Sequence, residues 1–82
     1  MSAKPKSAPS KTRIVLIRAE PIELSHFLKF SGAAESGGQA KQAVVDGAVW
    51  VNGTVETRKG KKLVRGDKVT VGDETLVVQL EG

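Results

Sequence analysis

Residues 36–53 read SGGQAKQAVVDGAVWVNG, and they contain the pattern of a helix followed directly by that of a β-hairpin. Ser36 is followed three residues later by Gln39, which is the spacing of a capping box at the start of a helix. Small apolar residues then repeat at helical intervals until Asp46-Gly47 supplies a C-terminal stop. The first half of the stretch therefore predicts a short helix.

The second half of the same stretch has the pattern of β-strands. Val49 and Val51 alternate with Trp50, Asn52-Gly53 is a strong signal for a two-residue hairpin turn, and Val55 resumes the apolar pattern. Successive strand residues point to opposite faces of a sheet. We therefore expect the two valines in the core and Trp50 on the other face, partly exposed.

Upstream of this stretch, the sequence predicts one strand and one further helix. Residues 14–17 (IVLI) form a short, β-branched run typical of a strand with a mostly buried middle. Pro21 suits the first turn of a helix, and apolar residues at positions i, i+3 and i+4 extend that helix to about Phe30. Ser31-Gly32 ends it.

Downstream, two more strands are expected at residues 68–71 and 75–80. Gly66-Asp67 turns the chain before the first of them, and Gly72-Asp73 separates the two.

Length and composition allow one compact domain and exclude several kinds of chemistry. A chain of 82 residues has no apolar material for a second core. The absence of cysteine excludes disulfides and thiolate catalysis, and the lone His26 has no nearby second ligand, so neither a metal nor a cofactor is expected. No apolar run approaches the roughly 20 residues of a membrane span, and no secretory leader is visible. These features predict a cytoplasmic protein that does not associate with membranes.

The net charge of +4 is concentrated in two clusters. Residues 1–12, rich in Ser, Ala, Pro and Lys, are predicted to form a flexible basic tail, which leaves residues 13–82 for the domain. Arg13 adds to the cations of this tail. The second cluster places six cations around the single acid Asp67, namely Arg58, Lys59, Lys61, Lys62, Arg65 and Lys68.

The first part of the second cluster, residues 58–62, is called the basic loop below. A charge run of this kind is often only a solvated face of the protein. Gly60 bends the run, however, so that several cations can diverge onto successive phosphates. The basic loop is therefore a candidate nucleic-acid contact.

Gly37-Gly38 lies in the first turn of the predicted second helix. Free backbone N–H groups and the positive end of the helix dipole attract anions there, and a glycine backbone allows close approach. The alternative is that the two glycines only relax a tight turn between helices. A nucleotide-binding loop is not expected, because Gly38-Gln39 stands where such a loop has Lys followed by Ser or Thr.

Trp50, the single tryptophan, has two interpretations. A partly exposed indole beside the basic loop can stack on an unpaired base. Equally, it can cover a second apolar patch beneath the tail or the last strands.

The acidic residues are scattered without a partner nucleophile or base, so the sequence predicts no active site and no enzyme.

The order of these motifs resembles the RNA-binding domain first seen in ribosomal small-subunit protein S-four. The resemblance covers residues 14–80 and rests on the SGGQAK run at 36–41, the DGAVWVNG run at 46–53 and GDKV at 66–69. More narrowly, FLKF at 27–30 and RKGKKL at 58–63 resemble the free-standing, YbcJ-like bacterial members of that family.

The resemblance implies an α+β fold of the S-four-like, αL type, in which two main helices pack on a small, bent, mostly antiparallel β-sheet. It also implies that RNA lies against the second helix and the neighbouring loop. The residues that would line this surface are Lys29, Ser36, Gly37, Gly38, Gln39, Lys41, Asn52, Arg58, Lys59, Lys61 and Lys62. One departure is Gly37, because many relatives carry an arginine directly after the serine.

The predicted function is therefore a non-catalytic module that binds structured RNA, by family analogy ribosomal RNA or another RNA of a ribosome or ribonucleoprotein. The main alternative is a protein-interaction module with general affinity for polyanions, in which the basic loop only steers the encounter. A DNA-binding function shares the same electrostatics, and an enzyme is a distant third.

Overall fold

The computed structural model describes residues 11–81, which form seven strands and two helices. Their order along the chain is β1 (Lys11–Ile17), β2 (Ile22–Glu23), α1 (Leu24–Phe30), α2 (Gly37–Val45), β3 (Val49–Val51), β4 (Thr54–Val55), β5 (Lys62–Leu63), β6 (Lys68–Val71) and β7 (Glu74–Leu80).

The strands form one main sheet and one small one. The main sheet has the order β1-β7-β6-β3-β4, in which β1 and β7 run parallel and all other neighbours run antiparallel. The small sheet is the antiparallel pair of β2 and β5. The fold is therefore α+β with a mixed, mostly antiparallel sheet, which confirms the predicted class.

The two helices pack on one face of the main sheet and share a single core with it. On α1, Leu24, Phe27 and Leu28 are buried, and they fall at the i, i+3 and i+4 positions of one helical stripe. Ala40 and Val44 are the buried positions of α2. The sheet completes the cluster with Val15, Ile17, Val49, Val51, Val69, Leu76 and Val78.

The second helix and the hairpin form as predicted. Ser36 is the N-cap of α2, and Asp46 is its C-cap. At the hairpin turn, Asn52 has φ 53° and Gly53 has φ 85°. Two consecutive residues in the left-handed region define the turn type that Asn-Gly favours between antiparallel strands, so this dipeptide closes the hairpin of β3 and β4.

The first strand differs from its prediction in two respects. It begins at Lys11, so Lys11 and Thr12 belong to β1, where they pair with β7, instead of the predicted tail. Residues 1–10, the rest of that tail, lie outside the described residues. The middle of the strand is not mostly buried, because Ile14 is 63% exposed whereas Val15 is buried. An edge strand covered by helices on one face buries only alternate side chains.

The first helix begins later than Pro21. Ile22 and Glu23 form β2 and pair with Leu63 and Lys62 of β5, and α1 starts at Leu24. No pattern in the sequence indicated β5, since a two-residue strand carries no periodicity. The long-range pairing of β2 and β5 therefore takes precedence over the local preference of proline for a first helical turn.

Candidate nucleic-acid interface

The start of α2 is fixed by hydrogen bonds from both of its capping residues. The backbone N–H of Gln39 donates to Ser36 Oγ at 3.1 Å, and Gln39 Oε1 accepts the backbone N–H of Glu35 at 2.6 Å. In a capping box the second bond returns to the N-cap residue itself, whereas here it reaches one residue further back. Ser36 and Gln39 are therefore explained first as capping residues.

Gly37 and Gly38 present an open backbone at this helix start. Within residues 11–81, neither backbone N–H has a hydrogen-bond acceptor. A Cβ added at Gly37 would meet no atom within 4 Å, and one at Gly38 would meet only Ser36 Oγ, at 4.0 Å. Packing therefore does not require glycine at either position, while two donors at the positive end of the helix dipole remain accessible to an anion.

The basic loop is anchored to the start of α1 through its own main chain. The carbonyl of Lys61 accepts the backbone N–H of Leu24 at 2.8 Å, and the carbonyl of Lys59 accepts that of Ser25 at 3.3 Å. The N-cap of α1, Glu23, makes no side-chain capping bond. The loop carbonyls thus satisfy N–H groups that a helix start leaves unpaired, and these two contacts use none of the charged side chains of the loop.

The four cations of the basic loop differ in their partners. Arg58 forms an ion pair with Glu56 at 2.9 Å, and Lys62, in β5, forms one with Glu23 at 3.1 Å. Lys59 and Lys61 make no ion pair with any residue in the described part of the chain. These two ammonium groups are therefore the cations of the loop whose charge no acid offsets directly.

The pair of Glu56 and Arg58 shifts the titration of both groups. The pKa of the Glu56 carboxyl is held below its ordinary value. The largest cause is the hydrogen bond from the Arg58 side chain, and the second largest is the hydrogen bond from the Arg58 backbone N–H. The same side-chain bond raises the pKa of Arg58 above its ordinary value. Both groups carry full charge at neutral pH, so the carboxylate is a permanent neighbour of the Arg58 guanidinium.

The helix-start glycines and the basic loop lie at opposite ends of α1. The loop caps the first turn of α1, whereas α2 begins after the turn that follows Phe30. A seven-residue helix is about 10 Å long at 1.5 Å per residue. Lys29 lies in the last turn of α1, and its carbonyl accepts the N–H of Gly32 in the turn leading to α2. Lys41 is exposed on α2 itself.

The side chain of Asn52 makes long-range hydrogen bonds that the sequence did not reveal. Its Nδ2 donates to Asp67 Oδ1 at 3.2 Å, and its Oδ1 accepts the backbone N–H of Lys68 at 3.0 Å. Asp67 also accepts the backbone N–H of Val64 at 3.0 Å through Oδ2. Asn52 therefore ties the hairpin turn to the turn before β6.

Trp50 is 47% exposed, as strand alternation predicts, and lies on the sheet face opposite the helices. Its neighbours across the strands are Val55 and Thr70. The main sheet therefore separates the indole from the start of α2. Trp50 and the helix-start glycines do not share one face.

The sequence analysis did not identify the two carboxylates that form ion pairs with cations of the basic loop. Glu56 was identifiable as an acid two residues before Arg58, but Glu23 meets Lys62 only through the pairing of β2 with β5. Arg13 was counted with the cations of the tail, whereas it donates to the carbonyl of Ser31 at 3.0 Å and pairs with Glu74 at 3.1 Å. Lys4 and Lys6, two further cations of the predicted tail, lie outside the described residues.

No helix among residues 11–81 has the length and apolarity needed to cross a membrane. Within the same residues, no three side chains of the metal-ligating types come together.

Two helices on a mixed sheet, with the basic loop hydrogen-bonded to the first helix, define a small α+β domain. The chain belongs to the S4 domain family, whose model matches residues 15–79. It is similar to YbcJ of Escherichia coli K12, a protein provisionally named as RNA-binding, with 46% identity over 57 residues that cover 70% of this chain and 81% of YbcJ.

Two further comparisons agree with this family. RlbA of Bacillus subtilis 168, provisionally named as a ribosome maturation protein, is 39% identical over 57 residues, which cover 70% of this chain and 80% of RlbA. The solution structure of E. coli YbcJ, described as revealing an αL motif involved in RNA binding, matches with a TM-score of 0.59 and 36% identity. That match covers 95% of this chain and 98% of YbcJ.

Proposed function

We propose that this chain is a non-catalytic module that binds structured RNA, ribosomal or ribosome-associated, through the start of α2 and the basic loop. The observation that carries the proposal is the anchoring of the basic loop. Its backbone carbonyls are used by α1, so its side chains carry no part of that contact. A main chain held in this way fixes the points from which the cationic side chains project, which suits a backbone of regularly spaced phosphates.

The start of α2 supplies a second group of contacts in this proposal. The N–H groups of Gly37 and Gly38 replace the arginine side chain that many relatives carry after the serine, and Ser36, Gln39 and Lys41 lie beside them. Because α1 separates this point from the basic loop by about 10 Å, the two groups would meet different phosphates. Lys29 would lie between them and Asn52 at the margin.

The relatives support RNA as the partner. YbcJ carries RNA binding in its provisional name and in the description of its structure, and RlbA carries ribosome maturation in its name. A small rigid surface can recognise structured RNA by shape and phosphate positions without reading base edges. A ribosome or ribonucleoprotein in the cytoplasm is the corresponding partner and compartment.

The proposal is tested by fluorescence anisotropy of a labelled RNA stem-loop titrated with the protein at several salt concentrations. We expect saturable binding. The logarithm of the association constant should fall with the logarithm of the salt concentration with a slope of roughly −3 to −5, as about five phosphate contacts would give. A matched DNA hairpin should compete poorly. Absence of saturable binding, or equal competition by DNA, would contradict the proposal.

One observation favours a protein-interaction function as the second candidate. The outer face of the main sheet carries exposed apolar side chains from three strands, namely Ile14, Leu16, Trp50 and Val55. Exposed apolar side chains grouped on one face are typical of protein contacts. In this function Trp50 would contact a protein, whereas in the RNA function it would stack on a base at the edge of the interface. Indole quenching by the stem-loop separates the two.

A further inference from the structure

Glu56 holds Arg58 with contacts to two parts of the same residue. Its Oε2 accepts the Arg58 backbone N–H at 3.1 Å and the Arg58 Nε–H at 2.9 Å, while Oε1 lies 3.4 Å from Nη2. The backbone of Glu56 is itself fixed, because its N–H donates to the carbonyl of Val49 at 2.9 Å. A single carboxylate therefore ties both the main chain and the guanidinium of Arg58 to the hairpin.

The two partners differ sharply in exposure. The Glu56 side chain is 13% exposed, whereas the Arg58 side chain is 75% exposed. A guanidinium has five N–H donors, and Glu56 occupies only the edge formed by Nε and one hydrogen of Nη2. The outer edge, formed by Nη1 and the remaining hydrogen of Nη2, stays available for two parallel hydrogen bonds to a phosphate.

We infer that Glu56 is a positioning residue for phosphate binding, because it orients the Arg58 guanidinium with its bidentate outer edge toward solvent. This role rests on the proposed RNA-binding function and deepens it. The carboxylate is shielded, so it acts on the phosphate through Arg58. Its contribution is to restrict a long side chain before binding, which lowers the entropy lost when the phosphate arrives.

The pair of Glu23 and Lys62 lacks these properties and provides a matched comparison. Its side chains are 53% and 59% exposed, and a single contact at 3.1 Å joins them. Exposed pairs of this kind contribute little, and an ammonium group has no planar fork to orient. Glu23 should therefore act on RNA only as a nearby negative charge.

Neutralising Glu23 and neutralising Glu56 should change RNA affinity in opposite directions. Replacing either glutamate with glutamine removes one negative charge, which by long-range attraction alone strengthens binding to a polyanion. We expect Glu23→Gln to strengthen binding of a labelled RNA stem-loop slightly. Glu56→Gln should weaken it by roughly three- to ten-fold, because Arg58 regains rotamer freedom.

A double-mutant cycle with Arg58→Lys completes the test. Lysine keeps the charge and removes the fork, so Glu56→Gln in that background should no longer weaken binding. Tighter RNA binding by Glu56→Gln alone would overturn the positioning role and leave the proposed function intact. Failure of the wild-type chain to bind any stem-loop would overturn both.

A second readout requires no RNA. In the free protein, the Arg58 Nε–H should give a resolved NMR signal that exchanges slowly with solvent and is lost in Glu56→Gln. Arg65 is the internal control, because its guanidinium has no acidic partner within residues 11–81. Exchange of the Arg58 Nε–H as fast as that of Arg65 would overturn the proposal even if the variant folds poorly.

Discussion

The backbone carbonyl of Lys61 accepts a hydrogen bond of 2.8 Å from the backbone N–H of Leu24, the first residue of α1. One residue thus caps a helix with its main chain and presents a cation with its side chain. Because the two roles use different atoms, charge on the basic loop can be changed while the anchoring of the loop is kept. The fold and the proposed binding function can therefore be tested separately.

Replacing Lys59 and Lys61 with glutamine should weaken RNA binding without loss of stability. Both carbonyls that contact α1 remain in the double variant, so its thermal midpoint should match that of the wild type. If each lysine meets one phosphate, the salt slope should become less steep by about 1.5 to 2. Anisotropy at several salt concentrations measures the slope, and an unchanged slope in a folded variant would remove these lysines from the interface.

Ser36 should respond differently to alanine and to aspartate. Ser36→Ala removes the bond to the Gln39 N–H and should cost about 1 kcal/mol, which lowers the thermal midpoint by roughly 4–8 °C. Ser36→Asp caps the helix as well as serine does but places a carboxylate beside the proposed phosphate. We expect that variant to melt like the wild type and to bind RNA less tightly. Equal affinity for Ser36→Asp and wild type would argue against an anion at this helix start.

Gly37→Ala and Gly38→Ala should separate helix stability from phosphate approach. An added methyl group meets nothing at Gly37 and only Ser36 Oγ at Gly38, so alanine should stabilise α2 by roughly 0.5–1 kcal/mol per site. The same methyl groups should limit how closely a phosphate can approach the helix start, so RNA affinity should fall. Chemical denaturation gives the stability and anisotropy the affinity. A more stable double variant with full affinity would show that the glycines serve only the turn.

Asn52→Ala should destabilise the fold by about 1–3 kcal/mol. The substitution removes two hydrogen bonds to the turn before β6 and places alanine at φ 53°, a conformation that its Cβ disfavours. Asn52→Gly is the control, since it loses the bonds but accepts the backbone angle, and it should cost less. Urea unfolding ranks the variants. Full stability of Asn52→Ala, with weakened RNA binding, would instead assign Asn52 to the interface.

Titration of Glu56 should report its contact with Arg58. A carboxyl whose pKa is depressed on folding contributes stability that is fully present above its unfolded pKa, near 4.5, and is lost as pH falls through the lower folded pKa. Arg58→Gln should raise the Glu56 pKa toward its ordinary value, because the side-chain hydrogen bond is the largest cause of the shift. Carbon-detected NMR of the Glu56 carboxyl follows this, with Arg65→Gln as a variant that leaves it unchanged. An unaltered titration in Arg58→Gln would contradict the contact.

The parts of the fold that the sequence predicts correctly are those with local signals. Ser36 and Gln39 are three residues apart, and Asn52-Gly53 closes its own turn, so α2 and the hairpin need no information from elsewhere in the chain. The start of α1 needs the carbonyls of the basic loop, and β2 needs β5. The parallel pairing of β1 with β7 likewise depends on contacts between the two ends of the domain.

In the candidate site too, features with local sequence signals could be predicted, whereas features that depend on long-range contacts could not. The positions of the cations could be predicted from the sequence, because clustered charge is visible without a structure. Their partners could be predicted only where the acid is close in sequence, as Glu56 is to Arg58. The pairing of Lys62 with Glu23 and the bond of Asn52 to Asp67 both join residues distant in the chain. The placement of Trp50 on the face opposite the helices depends on which side of the sheet the helices cover.

In the proposed function, structured RNA contacts both the start of α2 and the basic loop. Amide chemical shifts in a titration with an RNA stem-loop report on both places in one experiment. We expect the largest shifts at Gly37 and Gly38 and at Lys59 to Lys61. Shifts confined to the outer sheet face around Trp50, with the start of α2 and the basic loop unaffected, would contradict the proposed interface and favour the apolar face as the binding surface.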